Sequence, residues 1–171
     1  SGAEIGYIIT SSDVTEIYME QKRIEEQRDL LDTTFSASPD IIWYKDGNGK
    51  YLAVNPRFAS LLGKSPDEIR GRTVEEVIPE HLRQAFVDND ILAIKNGAPL
   101  YTEEHLTFAD GHTEVVDAVR RPIFDANGAL SGVLGVARDV SQRVAVESEL
   151  RETQLELREA VEDANRANQS K

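Results

Sequence analysis

The sequence predicts an α+β domain, a five-stranded antiparallel sheet with helices on one face, entered and left by further helices. Three observations carry this reading. Short β-favouring runs are closed by Asp-Gly and Asn-Gly turns, a middle stretch spaces its apolar residues at the helical period, and a segment near the start recurs near the end.

The first strand is Ile41-Ile42-Trp43-Tyr44, closed by Lys45-Asp46-Gly47-Asn48-Gly49-Lys50, whose glycines suit the positive φ angles of a tight turn. Tyr51-Leu52-Ala53-Val54 returns beside it. Asn55-Pro56 then sets a capping side chain before a proline at the first helical position, and Phe58, Leu61 and Leu62 give that helix an apolar face. Ser65-Pro66-Asp67-Glu68 opens a second short helix in the same manner. After Pro79 a longer helix carries Leu82, Phe86, Ile91 or Leu92, and Ile94, and stops at Asn96-Gly97. Strands over 101–108, 113–123 and 130–138 follow, joined by Ala109-Asp110-Gly111 and Asp125-Ala126-Asn127-Gly128. Helices on one face leave the other face of the sheet open, and the flanking helices are candidates to cover it.

GAEIGYIITSSDVTE at 2–16 and GALSGVLGVARDVSQ at 128–142 superpose without a gap, with Gly2/Gly128, Ala3/Ala129, Gly6/Gly132, Asp13/Asp139 and Val14/Val140 identical. Each reads as a Gly-led turn, a strand (Ile5 to Thr10; Val133 to Ala137) and an Asp-Val-Thr or Asp-Val-Ser cap opening a charged helix. The first helix offers Ile17, Ile24 and Leu31 one heptad apart, and the second offers Leu150, Thr153, Leu157, Ala160, Ala164 and Ala167 at alternating spacings of three and four. Charged residues fill the remaining positions, which suits a narrow seam in a parallel homodimer; two amphipathic helices folded onto a single core are the alternative. The expected organisation is 1–13 as the last strand of a preceding domain, 14–35 as a connecting helix, 36–140 as a complete domain and 141–171 as an exit helix.

Asp and Glu total 31 against 19 Lys and Arg, a formal net charge of -12, so the surface field opposes nucleic acid and anionic lipid. With no cysteine, disulfides and thiolate chemistry are excluded. No apolar run approaches the roughly 18 residues of a membrane span. The expected location is cytoplasmic, with any membrane anchor of the parent protein outside this piece. His81, His105 and His112 have no partner at helical spacing, so no metal site is expected. Neither a nucleophile elbow, a P-loop nor a dinucleotide fingerprint is present, so this chain is not expected to be an enzyme.

Phe58, Leu82, Phe86, Val119 and Val136 are the expected lining of the interior, each on an apolar face at its element's own period. Glu103, His105 and Asp117 alternate in phase with one another. Aimed inward, they would orient a small polar or cationic ligand; the alternative is a solvated or helix-covered face. Arg120-Arg121 before Pro122 reads as a solvated pair at a strand end, with pairing to an anion as the alternative.

SPDIIWYKDGNGKYLAVNPRFASLLGKSPDEIRGRT resembles the opening half of a PAS domain, with its hairpin, Asn-Pro, Phe, Leu-Gly and Glu-Ile-x-Gly. DGHTEVVDAVRRPIFDANGALSGVLGVARDVSQR resembles the closing PAC half, with Val140 and Ser141 in place of the usual Ile and Thr after Asp139. The resemblance covers about 36–143 and implies a sensory module of a bacterial sensor or hybrid histidine kinase. Flavin sensors that form a thiol adduct are excluded by the missing cysteine. A well-known haem-binding PAS subgroup carries its ligand His where Phe86 stands, so haem is not expected. No cofactor is evident, and a non-covalent flavin or small organic ligand stays open. LRETQLELREAVEDANRANQSK resembles the helix that leads into a phospho-accepting helix, implying a histidine kinase domain downstream in the same polypeptide. A ligand-free dimerisation spacer and the input domain of a diguanylate cyclase are the alternatives. The final strand runs through Asp139, Val140 and Ser141 into the exit helix without a Gly- or Pro-rich linker, which makes those residues the expected hinge for a signal.

Overall fold

The computed structural model describes residues 11–169, with side chains from 14 to 167. The strand expected over Ile5 to Thr10 lies outside the described residues. The chain divides into two compact units, 1–38 and 39–171. In the first, α1 (Ser11–Ala37) is one helix, and Asp13 and Val14 lie within it.

The second unit opens with the hairpin of β1 (Ile41–Asp46) and β2 (Tyr51–Val54). Its turn is held by the Asp46 carboxylate, which accepts the Asn48 and Lys50 N–H groups at 2.9 Å each. Only Gly49 of the two turn glycines has a positive φ, 81°. Gly47 is needed for space instead, because a Cβ there would stand 2.7 Å from the Leu130 carbonyl oxygen.

Four helices follow: α2 (Pro56–Leu62), α3 (Pro66–Ile69), α4 (Val74–Val77) and α5 (Glu80–Asn96). Asn55 caps α2 and does more. Fully buried, its Oδ1 accepts from the Phe58 and Ile42 N–H groups at 3.0 Å each, while its amide donates to the Asp40 carbonyl at 2.8 Å. One side chain thus ties β1 to α2. Gly63 ends α2 in the left-handed region at φ 63°, and a Cβ there would meet the Ala109 side chain at 2.7 Å. Ser65 with Glu68, and Thr73 with Glu76, form capping boxes for α3 and α4.

β3 (Leu100–Thr107), β4 (Thr113–Phe124) and β5 (Leu130–Asp139) complete an antiparallel sheet in the order β2-β1-β5-β4-β3. The helices load one face with a core that includes Trp43, Tyr51, Phe58, Leu61, Ile69, Ile78, Phe86, Leu106, Phe108 and Val116. Burial of this apolar face drives the fold at about 25 cal/mol per Å². α6 (Ser141–Gln169) leaves from the end of β5.

Candidate ligand site and signal junction

Register decides which residues meet inside. Glu104 lies opposite Val116, Thr102 opposite Ala118 and Leu100 opposite Arg120, and this even-numbered set faces the helices. Tyr101 lies opposite Val119, Glu103 opposite Asp117 and His105 opposite Val115, and this odd-numbered set faces away. Glu103, His105 and Asp117 are exposed, and Val119 and Val136 are half-buried beside them on the outer face. The expectation that Val119 and Val136 line the interior is therefore corrected, and of the two faces left open for Glu103, His105 and Asp117 the structure has the solvated one. Leu106, Phe108, Val116 and Ala118 occupy the opposite phase, and their burial fixes which side is in. Glu103, Asp117, Val119 and Val136 line one open groove of about 520 Å³ with Asp40, Tyr101 and Arg138. His105 is not part of that lining. Of the other expected interior residues, Phe58 and Phe86 are buried and Leu82 packs partly buried against the core.

The interior holds charges, and the expectation of Arg120 as a solvated strand-end residue is corrected. Arg120 is 0% exposed, and Gly135 explains how it fits. On β5, Gly135 lies between Arg120 on β4 and Trp43 on β1. A Cβ on Gly135 would fall 2.0 Å from the Trp43 ring, so the missing side chain lets that ring cross β5 and approach Arg120. The guanidinium then stands over Trp43 and Phe86, 5.3 and 5.5 Å from their centroids. It donates to Glu104 through both terminal nitrogens, at 2.5 and 3.2 Å, and to the Thr102 hydroxyl at 3.2 Å. Asn89 and Thr102 also donate to Glu104.

Lys45, inward on β1, is buried as well, and its ammonium donates to Asp90 of α5 at 2.6 Å. Asp90 is shared, because its other oxygen lies 3.3 Å from Arg120 Nε, close as an ion pair but outside hydrogen-bond alignment. Two cations and two carboxylates thus balance inside the fold. Burial pulls the Lys45 ammonium below its usual value, with Asp90 opposing the shift, and burial pushes the Tyr51 hydroxyl well above its own. Among the described residues, Trp43 Nε1, the Tyr51 hydroxyl, Asp90 Oδ1 and Arg120 Nε are buried without a hydrogen-bond partner. Lys45 and Asp90 also line a cleft of about 200 Å³ between the β1–β2 turn, α4 and α5, walled by Val74, Val87, Ile91, Ile94 and Val133.

At the far end of β4 lies the junction. Asp139 accepts the Ser141 N–H at 2.9 Å and its hydroxyl at 2.6 Å, capping α6, and these bonds hold its carboxyl below the usual range. Val115 N–H donates to the Ser141 hydroxyl, and Val140 N–H donates to the Val115 carbonyl. Arg143, on the first turn of α6, pairs with Asp117 at 2.9 Å. The exit helix is thereby bonded to β4 as well as continuous with β5. The seam residues Ile17, Ile24 and Leu31 of α1 and Leu150, Leu157 and Ala164 of α6 are all exposed in the single chain.

Two residues of the buried charge cluster carry no mark of their own in the sequence pattern. Asn89 and Asp90 lie on the inward face of α5 with Phe86 and Ala93, whereas Ile91 and Leu92 are exposed. The helical spacing from Phe86 to Ala93 was the available signal.

The family described as PAS fold matches residues 35–145. The aerobic respiration control sensor protein ArcB of Escherichia coli is 24% identical over 119 residues, 70% of this chain and 15% of ArcB. The methanogenesis regulatory histidine kinase FilI of Methanothrix harundinacea is 24% identical over 129 residues, 75% of this chain and 14% of FilI. The chain therefore spans about one-seventh of the curated relatives it matches. The PAS domain of Bordetella pertussis BvgS superposes with a TM-score of 0.58 at 21% identity, covering 77% of this chain and 98% of that one. No described helix is long and apolar enough to cross a membrane. With its five-stranded sheet, its helices on one face and this match, the chain belongs to the PAS fold family, and its relatives are sensor proteins.

Proposed function

We propose that this domain senses a small polar molecule in the Lys45–Asp90 cleft and relays its presence through Asp139, Val140 and Ser141 to a histidine kinase domain further along the same polypeptide. The observation that carries the reading is the junction: one residue, Val140, separates β5 from α6, and it is bonded to β4. A shift of the sheet has no slack in which to dissipate. The buried ammonium of Lys45 makes one hydrogen bond of the three it can donate, and Asp90 Oδ1 and the Tyr51 hydroxyl make none. A ligand that offers an acceptor to Lys45 fits this chemistry, and the volume near 200 Å³ favours one smaller than a drug-sized molecule. α6 then pairs with its counterpart in a parallel homodimer along Leu150, Leu157 and Ala164, with Ile17, Ile24 and Leu31 forming the matching seam of α1. The 126-residue recurrence of the strand-to-helix sequence preserves that seam register, being a whole number of heptads.

Insertions after Val144 in the full-length protein test the relay. One residue rotates the seam and should abolish or invert regulation, while seven restore the register and should preserve it. Normal regulation with a single inserted residue would end the proposal. Native mass spectrometry and a thermal-shift screen of the domain test the sensing step; a ligand at a hundred times its Kd adds about 2.7 kcal/mol.

A further inference from the structure

A cluster unconnected with the interior charges sits beside the junction. His112, at the end of the β3–β4 turn, stacks on Phe108 with ring centroids 4.2 Å apart. Its Nδ1 lies 2.5 Å from Asp110 Oδ1 and its Nε2 3.1 Å from Glu114 Oε1. Both ring nitrogens therefore face carboxylate oxygens. Only the doubly protonated imidazolium can donate to both; a neutral ring turns a lone pair toward one of them. Glu114 is 8% exposed, pairs with Arg57 of α2 through the same oxygen, and leaves its second oxygen without a partner among the described residues. Arg57 in turn stands over Phe108.

The groups facing His112 are thus Asp110 from the turn, Glu114 from β4, Arg57 from α2 acting through Glu114, and Asp139 at the end of β5, which feels both Arg57 and His112. Glu114 is followed directly by Val115, the residue that bonds Val140 and Ser141. We propose that protonated His112 is a latch holding the first residues of β4 to the signal junction, so that the attachment of α6 loosens when the imidazole loses its proton. The Nδ1 contact with Asp110 is the shorter of the two, 2.5 against 3.1 Å, so the neutral ring keeps its proton on Nδ1, and the contact that breaks is the one to Glu114. That leaves a nearly buried carboxylate with Arg57 alone, at the start of the strand that anchors the helix.

The direction with pH follows from the two carboxylates. Their hydrogen bonds raise the His112 pKa above its ordinary 6.5, so the latch is complete below that value and is lost as pH rises through the higher, folded value. The junction is thereby pH-sensitive independently of any ligand or kinase.

The test uses this chain alone. His112 ring protons are followed by NMR from about pH 5 to pH 8, alongside hydrogen-exchange protection factors of the Val140 and Val144 amides. The Asn55 amide, bonded to the Ile42 carbonyl, is the reference. The expected result is a His112 midpoint above 6.5 with a parallel fall in Val140 protection at the same midpoint, while Asn55 stays constant. In His112→Gln the Val140 profile should be flat, and Glu114→Gln, which keeps the histidine, should lower the midpoint and flatten the profile too. A His112 that titrates without moving Val140, a midpoint at or below 6.5, or a Val140 step that persists in His112→Gln would each overturn the latch.

Discussion

On the inner face of the sheet Arg120 has no exposed surface and is met by Glu104, Thr102 and Asp90, whereas on the outer face Arg143 and Asp117 pair at 2.9 Å with about half of each side chain in water. Both charge pairs involve β4, one through Arg120 and the other through Asp117. Their energetics differ because water screens one and not the other. An outer pair can come and go at little cost, which suits a contact between the sheet and the exit helix. The inner cluster is fixed, because any member left alone is a charge without solvent.

The largest expected effect tests the inner side. Arg120→Ala leaves Glu104 and Asp90 short of a cation and should destabilise by about 3–5 kcal/mol in chemical denaturation. Replacing Glu104 together with it, as Arg120→Met with Glu104→Leu, restores the balance between Lys45 and Asp90 and should recover most of that loss. A double variant as unstable as the single one would show that packing over Gly135, and not charge balance, holds the cluster. Phe86→Ala removes the ring that lies 6.3 Å from Trp43 and one of the two aromatic faces under Arg120, at an expected cost of about 3–5 kcal/mol.

How legible this was in the sequence follows from the same two faces. The strands, their order along the chain, the Asn55 cap and the long helix after Pro79 were readable because turn chemistry and capping are local. In-phase sets were readable too, since alternation alone groups Glu103 with His105 and Asp117 with Val119. Sidedness is not legible from alternation alone, because Val119 and Val136 are as apolar as their neighbours; the bulky residues Leu106 and Phe108 on β3 and Val116 on β4 set the parity. Arg120 was hidden for a physical reason: a buried arginine is stable only with partners from other elements, and Glu104 and Asp90 are distant in sequence. Gly47 looks like a turn glycine in the sequence, whereas its role is to make room for the Leu130 carbonyl, a contact no local pattern encodes.

The junction occupies the middle of the scale. Asp139→Ala removes the cap of α6 and should cost about 1 kcal/mol in thermal or chemical unfolding. Because hydrogen bonds to Ser141 lower the Asp139 pKa, its contribution is complete above the ordinary 3.8 and is lost as pH falls through the lower, folded value. The Ala variant should converge with the parent in that acid range. At the bottom stands Arg143→Ala, for which a change within about 1 kcal/mol is expected, shrinking further with added salt. A loss as large as that of Arg120→Ala would erase the contrast between the two faces.

Since the chain has no cysteine, single cysteines can be placed without background, and they test most directly whether α6 carries the relay as a parallel seam. Leu157→Cys and, off the seam, Arg158→Cys are oxidised in the purified chain and resolved on a non-reducing gel. A parallel dimer predicts efficient disulfide formation at 157 and little at 158, with the preference displaced by a single residue inserted after Val144. Equal crosslinking at both positions, or none at 157 at concentrations where the chain is dimeric, would contradict it.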